Sequence, residues 1–574
     1  MTTGLAAPTM VQRAQTLCNI RNALQRTLVR EPVMSVSHDP VDVLIVGAGA
    51  SGSTAAKHLA EQGRSVVVLD QGHWTDVGDL PGDKPEYELL WNNHRFHPDP
   101  NMRDRREDYP TNLEDSEQPV YMYNGAGGST VYFAGVWSRP LPSDFRVRTL
   151  DGVADDWPIS YEDLIPFFAA TDYDMGVSGL AGNTAYPPGA EPPLPMHPIN
   201  QTGRRMAEGL NSLGWHWWPG YSAIPSRAHN RQAQCVRLGV CRTGCVAGAK
   251  GSADITLLPD ALAHGARIET GARVARITLD EMGRANGAVY LQDGTEKFQA
   301  ARVVIVAANG IGTPRLLLMS ESNRFPHGLA NSSDLVGRRL MLHPFGSAIG
   351  IYDEDLEDWL GPAGTQIECM EFYETDVTRG FVRGSKWHVM GTGGPLEMAT
   401  RWHIGEGVRD EDFWGEQFTR KMKQAVGHSI DWIVHAEDLP EEHNRVTLDP
   451  TLTDSDGLPA PKITYMTSDN THQILDFGLN RAVEAHYAAG ATKAWITFRN
   501  FSSGHNLGTT KMGDDPETSV VDRWGRTHDV PNLYVIDGSV FTTSTATNPT
   551  STICALAKRT ATFIANNRDQ VVAW

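Results

Sequence analysis

VDVLIVGAGASGSTAAKHLAEQGRSVVVLD, residues 41–70, decides the fold. Val43–Val46 reads as a short buried strand, Ser51–Glu61 carries small residues at helical spacing, and Ser65–Leu69 is a second buried strand ending in Asp70. Gly47, Gly49 and Gly52 form GxGxxG at the strand-to-helix turn. Missing side chains there let the backbone turn tightly and bring the helix N-terminus, with its unpaired N–H groups, up to a pyrophosphate. Asp70 stands 18 positions after Gly52, where a carboxylate accepts from ribose hydroxyls. Strand, turn, helix, strand and acid in register predict a βαβ unit for a dinucleotide, while the motif alone leaves NAD and FAD both open.

Working outward, ARVVIVAANGIGTPRLLLMS at 301–320 reads as a further strand ending in small residues and followed by a helix, as at the cofactor edge of a doubly wound sheet. YMYNGAGGSTVYFAGVWSR at 121–139 places Gly125, Gly127, Gly128 and Gly135 among small residues, a loop whose backbone can approach a flat ring or a phosphate. SGHNLGTTKMG at 503–513 surrounds His505 with glycines and small polar residues. With 20 histidines in the chain, the default for any one is a packing or surface role, and this setting separates His505 from the rest. NLYVIDGSVFTTSTATNPTSTICAL at 532–556 runs strand, Asp537-Gly538, hydroxyl-rich loop, Asn548-Pro549, helix. Pro549 suits the first helical turn and Asn548 its N-cap.

A chain of 574 residues exceeds one hydrophobic core, so at least two domains are expected. Hydrophobic residues at 40% and charged residues at 21% are those of an ordinary globular protein, and a net charge of −19 argues against a nucleic-acid partner. No stretch approaches a membrane span and no export signal is visible, so a cytoplasmic location is expected. Six cysteines without dense spacing fit a reducing compartment. Residues 10–30 set Leu17, Ile20, Leu24 and Leu28 among arginines at helical spacing, a face for docking, first of all on this chain.

The chain resembles the glucose-methanol-choline (GMC) oxidoreductase family. The resemblance rests on the nucleotide turn, the glycine loop, GRRLMLHP at 337–344, NRVTLDP at 444–450 and the whole of 503–560, and spans all but residues 1–40. It implies an α/β fold in which a Rossmann-like FAD-binding domain (41–150, 235–345 and 500–574) is interleaved with an α+β substrate-binding domain on an antiparallel sheet (151–234 and 346–499), after an N-terminal extension of 1–40. It also implies that Gly47, Gly49, Gly52 and Asp70 hold the ADP half of FAD, that Val274 meets adenine through its backbone, and that Gly128 and Ser129 lie along the flavin. Asp537 and Gly538 fall near the ribityl-pyrophosphate with Pro549 beside them, and His505 and Asn548 become the catalytic pair. The implied reaction oxidises CH–OH to carbonyl: a neutral imidazole takes the hydroxyl proton as hydride leaves for the flavin, and the Asn548 amide donates to the oxygen as charge develops. Where some members carry a flavin-linking histidine this chain has Tyr132, so non-covalent FAD is expected.

CVRLGVCRTGC places Cys235, Cys241 and Cys245 at a spacing similar to the iron-sulfur region of some sugar dehydrogenases. The AGAKGS that follows favours reduced structural cysteines and no metal. The resemblance is strongest to the gluconate, glucoside and pyranose-oxidising branch, which implies a sugar, glycoside or polyol. An aromatic or aliphatic alcohol, or a non-redox FAD-containing lyase of the same fold, are the alternatives. Trp215, Trp217, Trp218, Trp387 and Trp402 are candidates for stacking on substrate, with core packing expected for most. Oxygen, a quinone or a partner protein, including a small accessory subunit, can serve as electron acceptor.

Overall fold

β1 (Ser37–Val46) runs into the glycine turn, α1 (Ala50–Glu61) follows, and β2 (Val66–Leu69) returns parallel to β1. The Val, Ile and Leu runs suit strands buried on both faces, which is the usual state of a parallel sheet. The computed structural model describes residues 37–92, 97–103, 108–189, 191–364, 366–392, 394–401 and 414–567. The amphipathic segment 10–30, nearly all of the 1–40 extension, and Trp402 lie outside the described residues.

Five parallel strands stand in the order Arg267–Glu269, β2, β1, Thr295–Val306, Leu533–Val535. One edge of Thr295–Val306 is shared in succession: its first half pairs antiparallel with Ala285–Gln292, and Val304–Val306 pair parallel with Leu533–Val535. Arg273–Leu279 extends the antiparallel part. On one face α1 packs against Thr550–Asn566 through Ala55, Ala56, Ala557 and Ala561, small side chains that let the helices lie close. The other face is covered by a cluster holding Phe145, Trp157 and Phe168.

A second sheet is antiparallel throughout, in the order Lys493–Phe501, Phe345–Ile351, Ser429–Ala436, Ser385–Met390, Glu368–Cys369, Trp217–Trp218. The helix Asp469–Ala488 covers one face, where Trp387, Val389, Trp432 and Val434 join Ile474, Leu475 and Leu479 in one core. Side chains alternate along a strand, so Lys386, His388 and Met390, with Ile433 and His435, take the opposite face. A small third sheet joins Asn112–Ser116 to Arg445–Thr453 and Pro459–Tyr465. No helix among the described residues is long and apolar enough to cross a membrane.

Candidate active site

The end of β1, the glycine loop and both C-terminal motifs converge on one cavity of about 980 Å³. Gly47, Gly49, Asp70, Gly128, Ser129, Val274, Asp537, Gly538, Pro549, Asn548 and His505 all line it. Gly52 does not: a Cβ there would sit 1.9 Å from the Gly47 carbonyl oxygen, so this glycine serves the close packing of helix on strand rather than contact with a ligand.

One end of the cavity is built from backbone. Gly47 has φ +104, and a Cβ on it would meet the Ala307 oxygen at 2.4 Å. α1 starts at the cavity with Gly49 as N-cap, no side-chain cap and no acidic residue in its first turn, which leaves its first N–H groups for an anion. Asp70 accepts from Ala48 N at 2.7 Å and Gly72 N at 2.9 Å, so its carboxylate braces the turn as well as lining the cavity. Burial raises its pKa against the pull of those two N–H groups. Gly128, at φ +54, would bring a Cβ to 2.7 Å from the Gly49 Cα, and Gly127 N donates to the Ala48 oxygen at 2.9 Å. The two glycine motifs therefore lie backbone against backbone, with no room for a side chain between them. Asp537 accepts from Asn309 N at 3.1 Å, Thr313 Oγ1 at 2.5 Å and Ser539 N at 2.9 Å, tying the last parallel strand to the helix Asn309–Met319.

At the other end His505 is half-buried. Its Nδ1 lies 2.8 Å from Nδ1 of His343, which leaves Nε2 as its other ring nitrogen. Burial pulls its imidazole pKa down to about 3, with the Lys386 ammonium adding to the fall, so the ring is neutral at any ordinary pH. Asn548 is not the helix N-cap. The helix is Thr550–Asn566 with Pro549 at the cap, and the Asn548 side chain is held from behind the cavity wall, its Oδ1 accepting from the buried Lys386 Nζ at 3.1 Å. That bond turns the amide into a donor with its nitrogen uncommitted. Lys386 is fully buried and pairs with Glu368 at 3.4 Å, while burial lowers its own pKa.

Two family models match, both described as GMC oxidoreductase: the N-terminal one over residues 41–345 and the C-terminal one over 440–557. The chain belongs to the GMC oxidoreductases. It is an FAD-dependent oxidoreductase acting on CH–OH groups. This GMC oxidoreductase is 38% identical to a 2-methyl-1,2-propanediol dehydrogenase of Mycolicibacterium austroafricanum, over 94% of this chain and 98% of the relative. It is 30% identical to the fructose dehydrogenase large subunit of Gluconobacter japonicus, over 92% of this chain and 98% of that one. The fold matches a pyridoxine 4-oxidase crystal structure (from "Mesorbium loti") with a TM-score of 0.65 at 17% identity, covering 92% of this chain and 99% of that chain. The bare backbone that Gly49 and Gly128 present to the cavity, the open start of α1 and the carboxylate at Asp70 fit a bound FAD.

Sequence reading missed the wall of the GMC oxidoreductase's cavity around His505: Phe345, His388, Met390, Ile433, His435, Phe498 and Phe501. Phe345 contacts Phe498 at 5.2 Å and His435 at 5.4 Å, and His435 stacks on His505 at 5.7 Å and on His388 at 5.2 Å. The signal that would have found them is period-two alternation in Ser385–Met390 and Ser429–Ala436. It was invisible because both faces of these strands are buried. Trp215, Trp217, Trp218 and Trp387 do not line the cavity. Trp387 is core, Trp215 and Trp217 pack on the same core, and Trp218 Nε1 donates to the Leu180 oxygen.

Cys235, Cys241 and Cys245 are free, half-exposed and outside the cavity wall. Cys245 Sγ accepts from Ala249 N and Lys250 N at 3.3 Å, and Cys235 Sγ from Arg237 N at 3.4 Å. The buried Lys250 ammonium donates to the carbonyls of Val131, Phe133 and Cys241, fastening this segment to the glycine loop of 121–139.

Proposed function

We propose that the substrate is a short polyol oxidised at a carbon lying between His505 and Asn548. His505 Nε2 takes the hydroxyl proton, and the Asn548 amide nitrogen donates to the oxygen that loses it. Bound FAD supplies the hydride acceptor. The reading is carried by one observation: a neutral histidine and an oriented amide line the same cavity as the glycine turn and Asp70. A neutral imidazole at hydrogen-bond distance contributes about 10²- to 10⁴-fold as a general base. Phe345, Met390, Ile433, Phe498 and Phe501 give the surrounding wall an apolar character that suits a small substrate with hydrocarbon as well as hydroxyl groups, as in the diol named for the 38% identical relative.

FAD is held without a covalent bond, Tyr132 being the residue on the cavity wall where a linking histidine would stand. Segments 41–150, 235–345 and 500–574 hold the cofactor, with Gly47, Gly49 and Asp70 at the ADP half, Val274 at adenine, Gly128 and Ser129 along the flavin, and Asp537, Gly538 and Pro549 at its centre. Segments 151–234 and 346–499 roof the substrate. The three clustered cysteines are reduced and structural. Electrons leave to a quinone or a partner subunit, a role suggested by the relative named as a large subunit.

The test is the visible absorption of the purified protein, anaerobic, before and after short diols, fructose, gluconate, aminoglycosides and aromatic alcohols, alongside His505→Ala. Bleaching by a short diol, slowed at least about 100-fold in the variant, supports the assignment. Bleaching only by aromatic alcohols, or equally fast bleaching in the variant, defeats it.

A further inference from the structure

We infer that His343 is a positioning residue that holds His505 in the one tautomer able to take a proton and then shares the charge His505 gains. The inference rests on the reading of His505 as base.

It starts from backbone register. Met341 and Leu507 exchange both hydrogen bonds of an antiparallel bridge, each N–O distance 3.0 Å. In such a pair, stepping two residues forward on one chain and two back on the other brings side chains opposite on the same face, and that step sets His343 opposite His505. Their Nδ1 atoms meet at 2.8 Å and the ring centroids at 5.0 Å.

A contact between two ring nitrogens carries one hydrogen, and its ownership decides the chemistry. If His343 donates, His505 must hold its own hydrogen on Nε2 and cannot accept one there. If His505 donates through Nδ1, its Nε2 has the lone pair that a base needs. His343 then accepts at Nδ1 and keeps its hydrogen on Nε2. His343 is 0% exposed, and burial together with the neighbouring His505 and Lys386 lowers its pKa far below the ordinary value, so it stays a neutral partner. When the substrate hydroxyl proton moves to His505 Nε2, the new positive charge keeps its Nδ1–H on His343. The bond becomes charge-assisted and roughly twice as strong.

The backbone at His343 is held in a conformation that only its surroundings can maintain. Its φ is +49, a left-handed conformation that is strained for a residue other than glycine. Non-glycine residues keep such conformations where surrounding contacts over-determine them, and these cluster at functional sites. Here Leu342 N and His343 N both donate to Asp438 Oδ2, at 2.9 and 3.2 Å, and Tyr465 donates to the same oxygen at 2.9 Å. The His343 carbonyl accepts from Ser503 Oγ at 2.7 Å, two residues before the base. A buried carboxylate thus holds Leu342 and His343 in place, and Ser503 ties them to the segment that carries His505. Histidines 388 and 435 and the Lys386–Glu368 pair are the other titratable groups facing this contact.

The test uses the FAD-loaded enzyme and anaerobic flavin bleaching. His343→Asn places an amide oxygen where Nδ1 stood, and asparagine tolerates positive φ better than most residues. His343→Leu removes the acceptor. The leucine variant is expected to keep FAD and half-saturate at nearly the same substrate concentration, yet bleach about 100-fold more slowly. The asparagine variant is expected within about 10-fold of the parent, a rescue that a purely structural role would not give. Parent-like bleaching in His343→Leu overturns the inference, as does an FAD-loaded His343→Asn as slow as His505→Ala. Should His343→Leu fail to fold, His343→Asn decides alone by that comparison. Fast bleaching in His505→Ala would instead refute the reading of His505 as base.

Discussion

Gly128→Ala and Gly63→Ala impose the same backbone cost and differ in what the new methyl group meets. Gly128 has φ +54 and Gly63 φ +73, so an alanine at either is driven into the left-handed region at about 1–2 kcal/mol. At Gly63 nothing lies within 4 Å of the Cβ, whereas at Gly128 the Gly49 Cα stands 2.7 Å away. Carbon atoms rest at about 3.5–4.0 Å, so the flavin-side loop and the nucleotide turn must part by about 1 Å. With FAD bound as proposed, that displacement falls where phosphate contacts would depend on backbone N–H groups, so FAD binding should weaken by about 10- to 100-fold, or about 1.4–2.8 kcal/mol. Titration of stripped protein with FAD, followed by flavin absorption, measures it, with urea denaturation reporting the shared strain. Gly63→Ala should lose about 1 kcal/mol of stability and bind FAD as the parent does. If Gly128→Ala and Gly63→Ala bind FAD equally well, the close approach of the two glycine motifs does not shape the site.

Because His505 is depressed to about 3, the proposed base stays neutral as pH falls through 6.5, and the acid limb of flavin reduction should lie far below that value. Lys386→Met removes a cation that disfavours the imidazolium, so the limb should move up, and a parent limb at pH 6–7 would contradict this reading. Asn548→Ala should retain FAD and slow flavin reduction by about 10²- to 10³-fold, as loss of one oxyanion donor does; a change confined to half-saturation would assign it to binding alone. His486 is fully buried with a pKa lowered to about 4 by desolvation, and it donates to the Ala348 oxygen. The unfolded chain takes a proton near 6.5 where the folded one does not, so this group's stability is complete above pH 6.5 and lost as pH falls toward 4. The loss is about 2 kcal/mol at pH 5, and His486→Gln should flatten the fall in urea midpoint between pH 7.5 and 5.

The sequence determined what is local. β1, the glycine turn, α1 and β2 follow from short-range rules, since hydrophobic period and missing side chains act within a few residues. The settings of His505 and Asp537-Gly538 are local in the same sense, and through the family resemblance they carry they pointed to FAD and to oxidation of an alcohol. Tertiary structure decided what depends on pairing between distant segments. The Met341–Leu507 bridge brings two histidines together across more than 160 residues, and no spacing rule announces a partner at that separation. Asn548 reads as a helix cap from its neighbours, and becomes an oriented amide only because Lys386, on a strand of the other sheet, reaches it first. His388 and His435 hide in strands buried on both faces, where alternation leaves no mark in the pattern of polar and apolar residues. The physical reason is common to all three: local conformation is written in neighbouring residues, whereas a site is written in the register between strands.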